Sequence, residues 1–441
     1  MRCARMRKAT RTELDPLHAG EQGSKMVRTG HPGVDGSAAR RAGVPPAFIV
    51  IIAGMVAALH IGKIPPALPV LREALGISLI EAGFLLSMVQ MAGMLGGVFI
   101  GLAADGFGLR RSMLLGQGVL AAASLAGAWA TQPAGLLVLR ALEGLGFLLV
   151  VLPVPSLIRQ LVPPSRLALH LGLWGTYMAT GTSLVLAGGP VLMSVIGWQG
   201  LWGWLATVSA AVAAWLFLRV PSDRVRRAAA GVVPSAAPAG VPAQWRARLR
   251  ATLGSAGPWR VAITFSMYSS QWLAVIGFLP SIYARAGLSG QVAGLLTALA
   301  CLMNVSGNIA AGRLLHRGVC ARHLLYAGFL AMAATAFVAF SPLTAEAPVA
   351  RYLAVVLFSA VGGLIPATLF ALAVHVAPSE HTVSTTVGWM QQCSSAGQFI
   401  GPPLVAWVAG AAGGWQWTWV ITGLACVVGL VLSSRTRYQR A

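Results

Sequence analysis

"LPVLREALGIS" (Leu68–Ser78) and "LPSIYARAGLS" (Leu279–Ser289) align without a gap, sharing Leu-Pro, Gly76 with Gly287, and Ser78 with Ser289. The likeness runs on. "AGFLLS" from Ala82 is matched by "AGLLTA" from Ala293, and "GPVLMSVIGWQGLW" from Gly189 returns as "GPPLVAWVAGAAGGWQWTW" from Gly401. Three matches in the same order, each about 210 residues apart, mark a duplicated unit rather than chance agreement between leucine- and glycine-rich stretches.

The nature of the unit follows from composition. The chain has 441 residues, of which 56% are hydrophobic and only 10% charged, and its mean hydropathy is +0.74. Those values exclude an ordinary soluble domain. Apolar windows long enough to cross a ~30 Å hydrocarbon core as helices recur about twelve times. They fall near 47–71, 79–102, 112–131, 134–160, 170–195, 200–219, 259–284, 290–312, 323–341, 349–374, 383–409 and 415–433. The predicted fold is an all-α membrane protein of 12 transmembrane helices in two pseudo-symmetric six-helix halves. Its predicted parts are a disordered basic cytoplasmic tail (1–46), an N-terminal half (47–220), a cytoplasmic linker (221–257), a C-terminal half (258–434) and a short tail (435–441). The linker is assigned on composition, being small, Pro-rich and basic in "AAAGVVPSAAPAGVPAQ".

A formal charge of +21 raises the question of nucleic acid, and the positions of the basic residues answer it. They sort by loop. About nine Lys/Arg precede residue 47 and about eight lie from Arg219 to Arg260. Arg110, Arg111, Arg159, Arg166, Arg313, Arg317 and Arg322 fall in loops on the same side, whereas Arg72, Arg285 and Arg351 fall on the other. This is the positive-inside pattern, which predicts a multi-pass protein of the cell inner membrane with both termini cytoplasmic, its basic surface facing lipid headgroups and not nucleic acid. The five cysteines are spread over tail, helices and loop, and no disulfide framework is expected.

Two segments carry a family resemblance. "GLAADGFGLRR" (Gly101–Arg111) resembles the signature loop between helices 2 and 3 of the major facilitator superfamily, supplying Gly101, Asp105, Gly108 and Arg110, with Gly106 and Leu109 at two usually basic positions. "RALEGLGF" resembles the superfamily's helix 4 segment, with Arg140, Glu143, Gly144 and Gly146. "GKIPPALPVLREALGIS" together with "GNIAAGRLLHRG" looks most like the cyanate/nitroimidazole-permease branch. The resemblance implies alternating access by rocking of the halves, a gating role for Gly101, Asp105, Gly108, Arg110 and, in the second copy, Arg313, and proton coupling through Arg140 and Glu143. An Arg and a Glu three apart on a helix can also simply neutralise each other. In the second copy Gly312 replaces the aspartate, so the latch is expected to be asymmetric. Helix 5 has Gly172, Gly181 and Gly189-Pro190, but Val185 interrupts the spacing typical of drug/proton antiporters.

Polar residues near the midplane are few. Counting from helix ends at ~1.5 Å per residue selects His60, Lys63, Gln90, Tyr177, Tyr268, Gln271 and Asn304, with Trp272, Asn308, Gln391, Gln392 and Gln398. His60 lies nine residues before Pro69 and Gln271 nine before Pro280, so the repeat makes them equivalent, facing positions. A lysine facing lipid at this depth costs ~2.5 kcal/mol or more. Lys63 is therefore expected to face the interior, with Pro65, Pro66 and Pro69 exposing backbone carbonyls beside it. No unpaired acid is evident to neutralise it, and an anionic ligand would. Snorkelling is the alternative for Lys63, and helix–helix hydrogen bonding is the alternative for each Gln and Asn. "GWQGLW" and "GWQWTW" read as interfacial anchors and supply no sites.

The expected function is a monomeric secondary transporter, a symporter taking up a small organic anion with protons. His60, Lys63, Gln90, Tyr177, Tyr268, Gln271, Asn304 and Gln391 would line its site. Proton-driven drug efflux is the alternative within transport, and a transport-inactive sensor or scaffold the alternative outside it. No phosphate loop, metal-ligand cluster or nucleophile constellation is present to suggest an enzyme or a cofactor.

Overall fold

The residues shared by the two copies end one helix and begin the next. Gly76 and Gly287 sit at φ 64 and 82, backbone that a side chain disfavours, and each closes the helix before it. Two residues on, the Ser78 and Ser289 hydroxyls accept the backbone N–H of Glu81 (3.2 Å) and Val292 (3.4 Å), capping the following helix. Glu81 returns the bond to the Ser78 N–H at 2.8 Å, completing a capping box in the first copy only.

The computed structural model describes residues 44–229, 241–379 and 382–435, without the side chains at 100–106, 168, 227–229 and 241–244. The tail, part of the linker, the C-terminal residues and the side chain of Asp105 lie outside that description, as does the surrounding of Gly101. Nine helical stretches among the described residues are long and apolar enough to cross a membrane. One, Pro164–Arg226, holds two crossings, because Gly197 (φ 71, ψ 174) breaks it with a conformation essentially reserved for glycine. Leu109–Gly127 and Val383–Ala411 bring the number to the expected twelve. We number the crossings α1 (Pro46–Leu75), α2 (79–107), α3 (Leu109–Gly127), α4 (Pro133–Leu161), α5 (164–196), α6 (198–219), α7 (Ala256–Arg285), α8 (Gly290–His316), α9 (Ala321–Phe340), α10 (Pro348–Val376), α11 (Val383–Ala411) and α12 (Thr418–Arg435). The protein is thus an all-helical membrane protein of two pseudo-symmetric sets of six helices. A further helix, Val241–Leu253, precedes α7.

Glycine sets how the two sets meet. A Cβ on Gly83 of α2 would lie 2.8 Å from Pro403 Cα of α11, and one on Gly294 of α8 would lie 2.7 Å from Pro190 Cγ of α5. Gly83 and Gly294 are equivalent in the repeat, and each lets its helix close on the proline-bearing helix of the other set. Hydrogen bonds follow the same seams. Gln90 Nε2 donates to Gln398 Oε1 at 3.1 Å, Ser395 Oγ to Gln90 Oε1 at 3.3 Å, and Gln392 Nε2 to the Met94 carbonyl at 2.9 Å across α2–α11. Across α5–α8, Ser183 Oγ donates to the Ala298 carbonyl at 3.1 Å.

A buried charge cluster as candidate functional site

Proline explains where α1 breaks. Pro65 and Pro66 have no N–H to give to the carbonyls of Ile61 and Gly62, and regular helix stops at Gly62 and resumes at Ile64, leaving Lys63 at the turn. The lysine side chain leaves the axis there and enters the interior of the first six helices.

Its surroundings overturn the expectation that it lacks an acidic partner. Lys63 Nζ hydrogen-bonds Glu143 Oε1 and donates to Ser124 Oγ at 3.0 Å. Arg140 Nη1 holds the other carboxylate oxygen at 2.5 Å and also the His60 carbonyl at 2.8 Å, while its Nε reaches the Leu85 carbonyl at 3.3 Å. His60 Nδ1 is 3.6 Å from Glu143 Oε1, and its Nε2 is 2.8 Å from Ser209 Oγ. Side chains of α1 and α4 therefore converge on one carboxylate, with Ser124 of α3 and Ser209 of α6 bonded to Lys63 and His60, and His60, Lys63, Arg140 and Glu143 are all 0–1% exposed. The packing that permits this is a helix crossing at Gly144, whose missing Cβ lets α4 lie on the Val89 carbonyl of α2.

Two further expectations need correction. His60 and Gln271 are equivalent in the repeat but do not face each other. Each turns to the sixth helix of its own set: His60 to Ser209, and Gln271 Oε1 to Cys426 Sγ at 3.4 Å. Ser209 and Cys426 stand twelve residues after Gly197 and Gly414 in the repeated "GWQ" segments, so the pairing itself is duplicated. Second, Trp202 is no interfacial anchor. It is 1% exposed, and Lys63 Nζ lies 4.5 Å from its ring centroid, a cation–π contact in a dry setting.

The remaining candidates divide. Tyr268 OH accepts from Asn304 Nδ2 at 2.9 Å, and Asn304 Nδ2 also donates to the Ser359 carbonyl at 2.9 Å, making a buried network in the second set. Gln90 is part of the α2–α11 seam, the bonding role anticipated as its alternative. Tyr177 stacks on Trp174 at 3.8 Å. Gln391 is exposed on α11.

At the end of the bundle bearing the 220–256 connection, Gly108 (φ 112) and Arg110 have a partner that sequence reasoning missed. The Asp223 carboxylate accepts the backbone N–H groups of Arg110 (3.2 Å) and Arg111 (3.3 Å), capping α3 from beyond α6. Arg226 Nη2 is 2.5 Å from Asp223 Oδ1 and its Nε 3.0 Å from Gln160 Oε1. The Arg110 guanidinium binds the Phe217 carbonyl. Arg313 is exposed in the last turn of α8.

Twelve crossings in two pseudo-symmetric sets, with an ion cluster sealed inside one of them, define the architecture of a secondary transporter. The family model of the Major Facilitator Superfamily matches residues 47–387, and the chain belongs to that superfamily. Among solved structures, it is similar to a bacterial homologue of the human lysosomal transporter Spinster in an inward-facing, occupied conformation, with TM-score 0.73 and 15% identity over 90% of this chain and 98% of that one. It is also similar to a D-xylose-proton symporter, with TM-score 0.68 and 16% identity over 88% and 97%. A curated relative, the Tetracenomycin C resistance and export protein of Streptomyces glaucescens, is 26% identical over 157 residues. That match spans 36% of this chain and 29% of the relative's length.

Proposed function

We propose that this transporter is proton-coupled through His60, Lys63, Arg140 and Glu143, and that it exports lipophilic organic compounds without a negative charge. The observation that carries the reading is the Lys63–Glu143 contact. An anionic substrate was expected because Lys63 lacked a counter-charge, and Glu143 supplies one. The buried Lys, Arg, Asp and Glu side chains among the described residues are Lys63, Arg140, Glu143, Asp223 and Arg226. All are engaged in ion pairs. A substrate between the helix sets would then meet Gln391 and other neutral groups. The outward direction is supported by the Streptomyces glaucescens relative, which is a resistance and export protein. The loop charges support both termini in the cytoplasm of the inner membrane, and the signature-loop resemblance supports Gly101, Asp105, Gly108, Arg110 and Arg313 as the gate.

In proteoliposomes with an imposed pH gradient, Nile red or ethidium should move against the proton flow, and Glu143→Gln should reduce that movement at least tenfold. Gradient-driven uptake of a carboxylate such as benzoate, weakened by Lys63→Gln, would instead restore the anion symporter.

A further inference from the structure

The cluster holds two cations against one carboxylate. An arginine guanidinium is a permanent cation in proteins, and that of Arg140 is anchored at three points: Glu143 Oε2, the His60 carbonyl and the Leu85 carbonyl. If Glu143 took up a proton, Lys63 and Arg140 would remain as two uncompensated cations in a site 0–1% exposed. If Lys63 released one instead, a neutral Arg140–Glu143 pair would be left. Charge counting therefore separates the two candidates.

Hydrogen-bond counting agrees with it. An ammonium has three N–H donors and a neutral amine has two. Lys63 Nζ has two hydrogen-bond acceptors, Glu143 Oε1 and Ser124 Oγ. The Ser124 hydroxyl donates to the Trp202 carbonyl at 3.0 Å, so toward Lys63 it can only accept. The third direction holds the face of Trp202. A neutral amine would keep both hydrogen bonds and lose the ring contact and its charge attraction to Glu143, whose carboxylate stays paired with Arg140.

We infer that Lys63 is the group that releases and regains the transported proton, while Arg140 and Glu143 stay a fixed ion pair; this rests on the proton-coupled reading above. The step is Lys63–NH3+ giving Lys63–NH2 and a proton to water, with no change in electron count. The lysine stands at the proline-made break of α1, between Gly62 and Ile64. Movement of the outer segment of α1 against the inner one would carry Nζ away from Glu143 and open a path to one side. The groups facing Nζ are Glu143 and Arg140 from α4, Ser124 from α3, Trp202 from α6, and His60 from its own helix. Of these, His60 is the one that could titrate in place of Lys63, and the test separates the two.

Trp202 reports on the charge beside it. Its emission is the difference between wild type and Trp202→Phe, followed against pH on purified, folded protein. A single protonation step is expected in wild type and in His60→Asn. Lys63→Met removes the amine and Lys63→Arg holds the charge, so both should give a flat Trp202 signal. Lys63→Arg also keeps the carboxylate paired, which guards against loss of folding in Lys63→Met. The same Arg variant should lose at least tenfold of the Nile red or ethidium movement driven by a pH gradient. A step that survives in Lys63→Arg, a step that vanishes in His60→Asn, or a flat wild-type signal overturns the assignment. Failure of the wild type to move either dye would remove the export reading, and the Trp202 titration would still decide Lys63.

Discussion

A lysine inside a bilayer-spanning helix must find a partner or cost the fold several kcal/mol. Lys63 finds one eighty residues away on α4, at a distance in sequence that no local pattern reveals. The three-residue spacing of Arg140 and Glu143 raised the possibility that they pair, and they do, yet the same carboxylate also serves Lys63. This sharing predicts an asymmetry between two conservative substitutions. Glu143→Gln leaves two buried cations without a counter-charge and should cost ~3–5 kcal/mol, as breaking a buried ion pair does. Lys63→Gln leaves a neutral Arg140–Glu143 pair and should cost only ~1–2 kcal/mol for the bonds lost. Thermal unfolding of the purified proteins in one detergent measures both, and a larger loss in Lys63→Gln would contradict the described pairing.

Elements begin and end where residue chemistry dictates. Gly76 with Ser78 and Gly287 with Ser289 stop and restart helices by left-handed backbone and hydroxyl caps, signals local enough to be legible, although in the sequence they served only to align the two copies. The cap of α3 was not. Its donors at Arg110 and Arg111 are satisfied by Asp223, more than a hundred residues on, in a segment read only as linker. Gly108 also acquires a local reason, since a Cβ there would meet the Asp223 carboxylate at 2.8 Å. Asp223→Ala should therefore destabilise the protein by ~1–2 kcal/mol through the lost cap. It should also speed proteolysis of the 107–111 turn, read by limited digestion; unchanged digestion would mean the cap does not hold that turn.

At the scale of the molecule, the two helix sets are joined along α2–α11 and α5–α8 by close glycine contacts and a few polar bonds. Alternating access requires such seams to part and reform. Near the linker end, a Cβ on Gly388 of α11 would lie 3.9 Å from Val98 Cβ of α2, within the range a disulfide bridges. Val98→Cys with Gly388→Cys, in a background without the native cysteines, should crosslink on mild oxidation and halt dye transport, with recovery on reduction. Transport that continues in the fully crosslinked protein would show that this seam stays closed throughout the cycle.

What the sequence by itself determined is the membrane-spanning class, the duplication and the approximate positions of the helices. These follow from hydropathy, from repeated motifs and from glycine, serine and proline, whose effects reach only a few residues along the chain. The superfamily was legible for the same reason, because Gly108, Arg110, Arg140 and Glu143 stand in short motifs. Which face each polar side chain takes was decided only by the tertiary structure. His60 and Gln271 were rightly paired by the repeat and wrongly set facing each other, because equivalence in sequence says nothing of whether a side chain turns to its own set or across the axis. Ser124 carried no signal, and Trp202 was read as an interfacial anchor. They matter because α3 and α6 pack beside the break in α1, and in a dry interior a charge goes wherever packing brings a counter-charge and hydrogen-bond partners within reach.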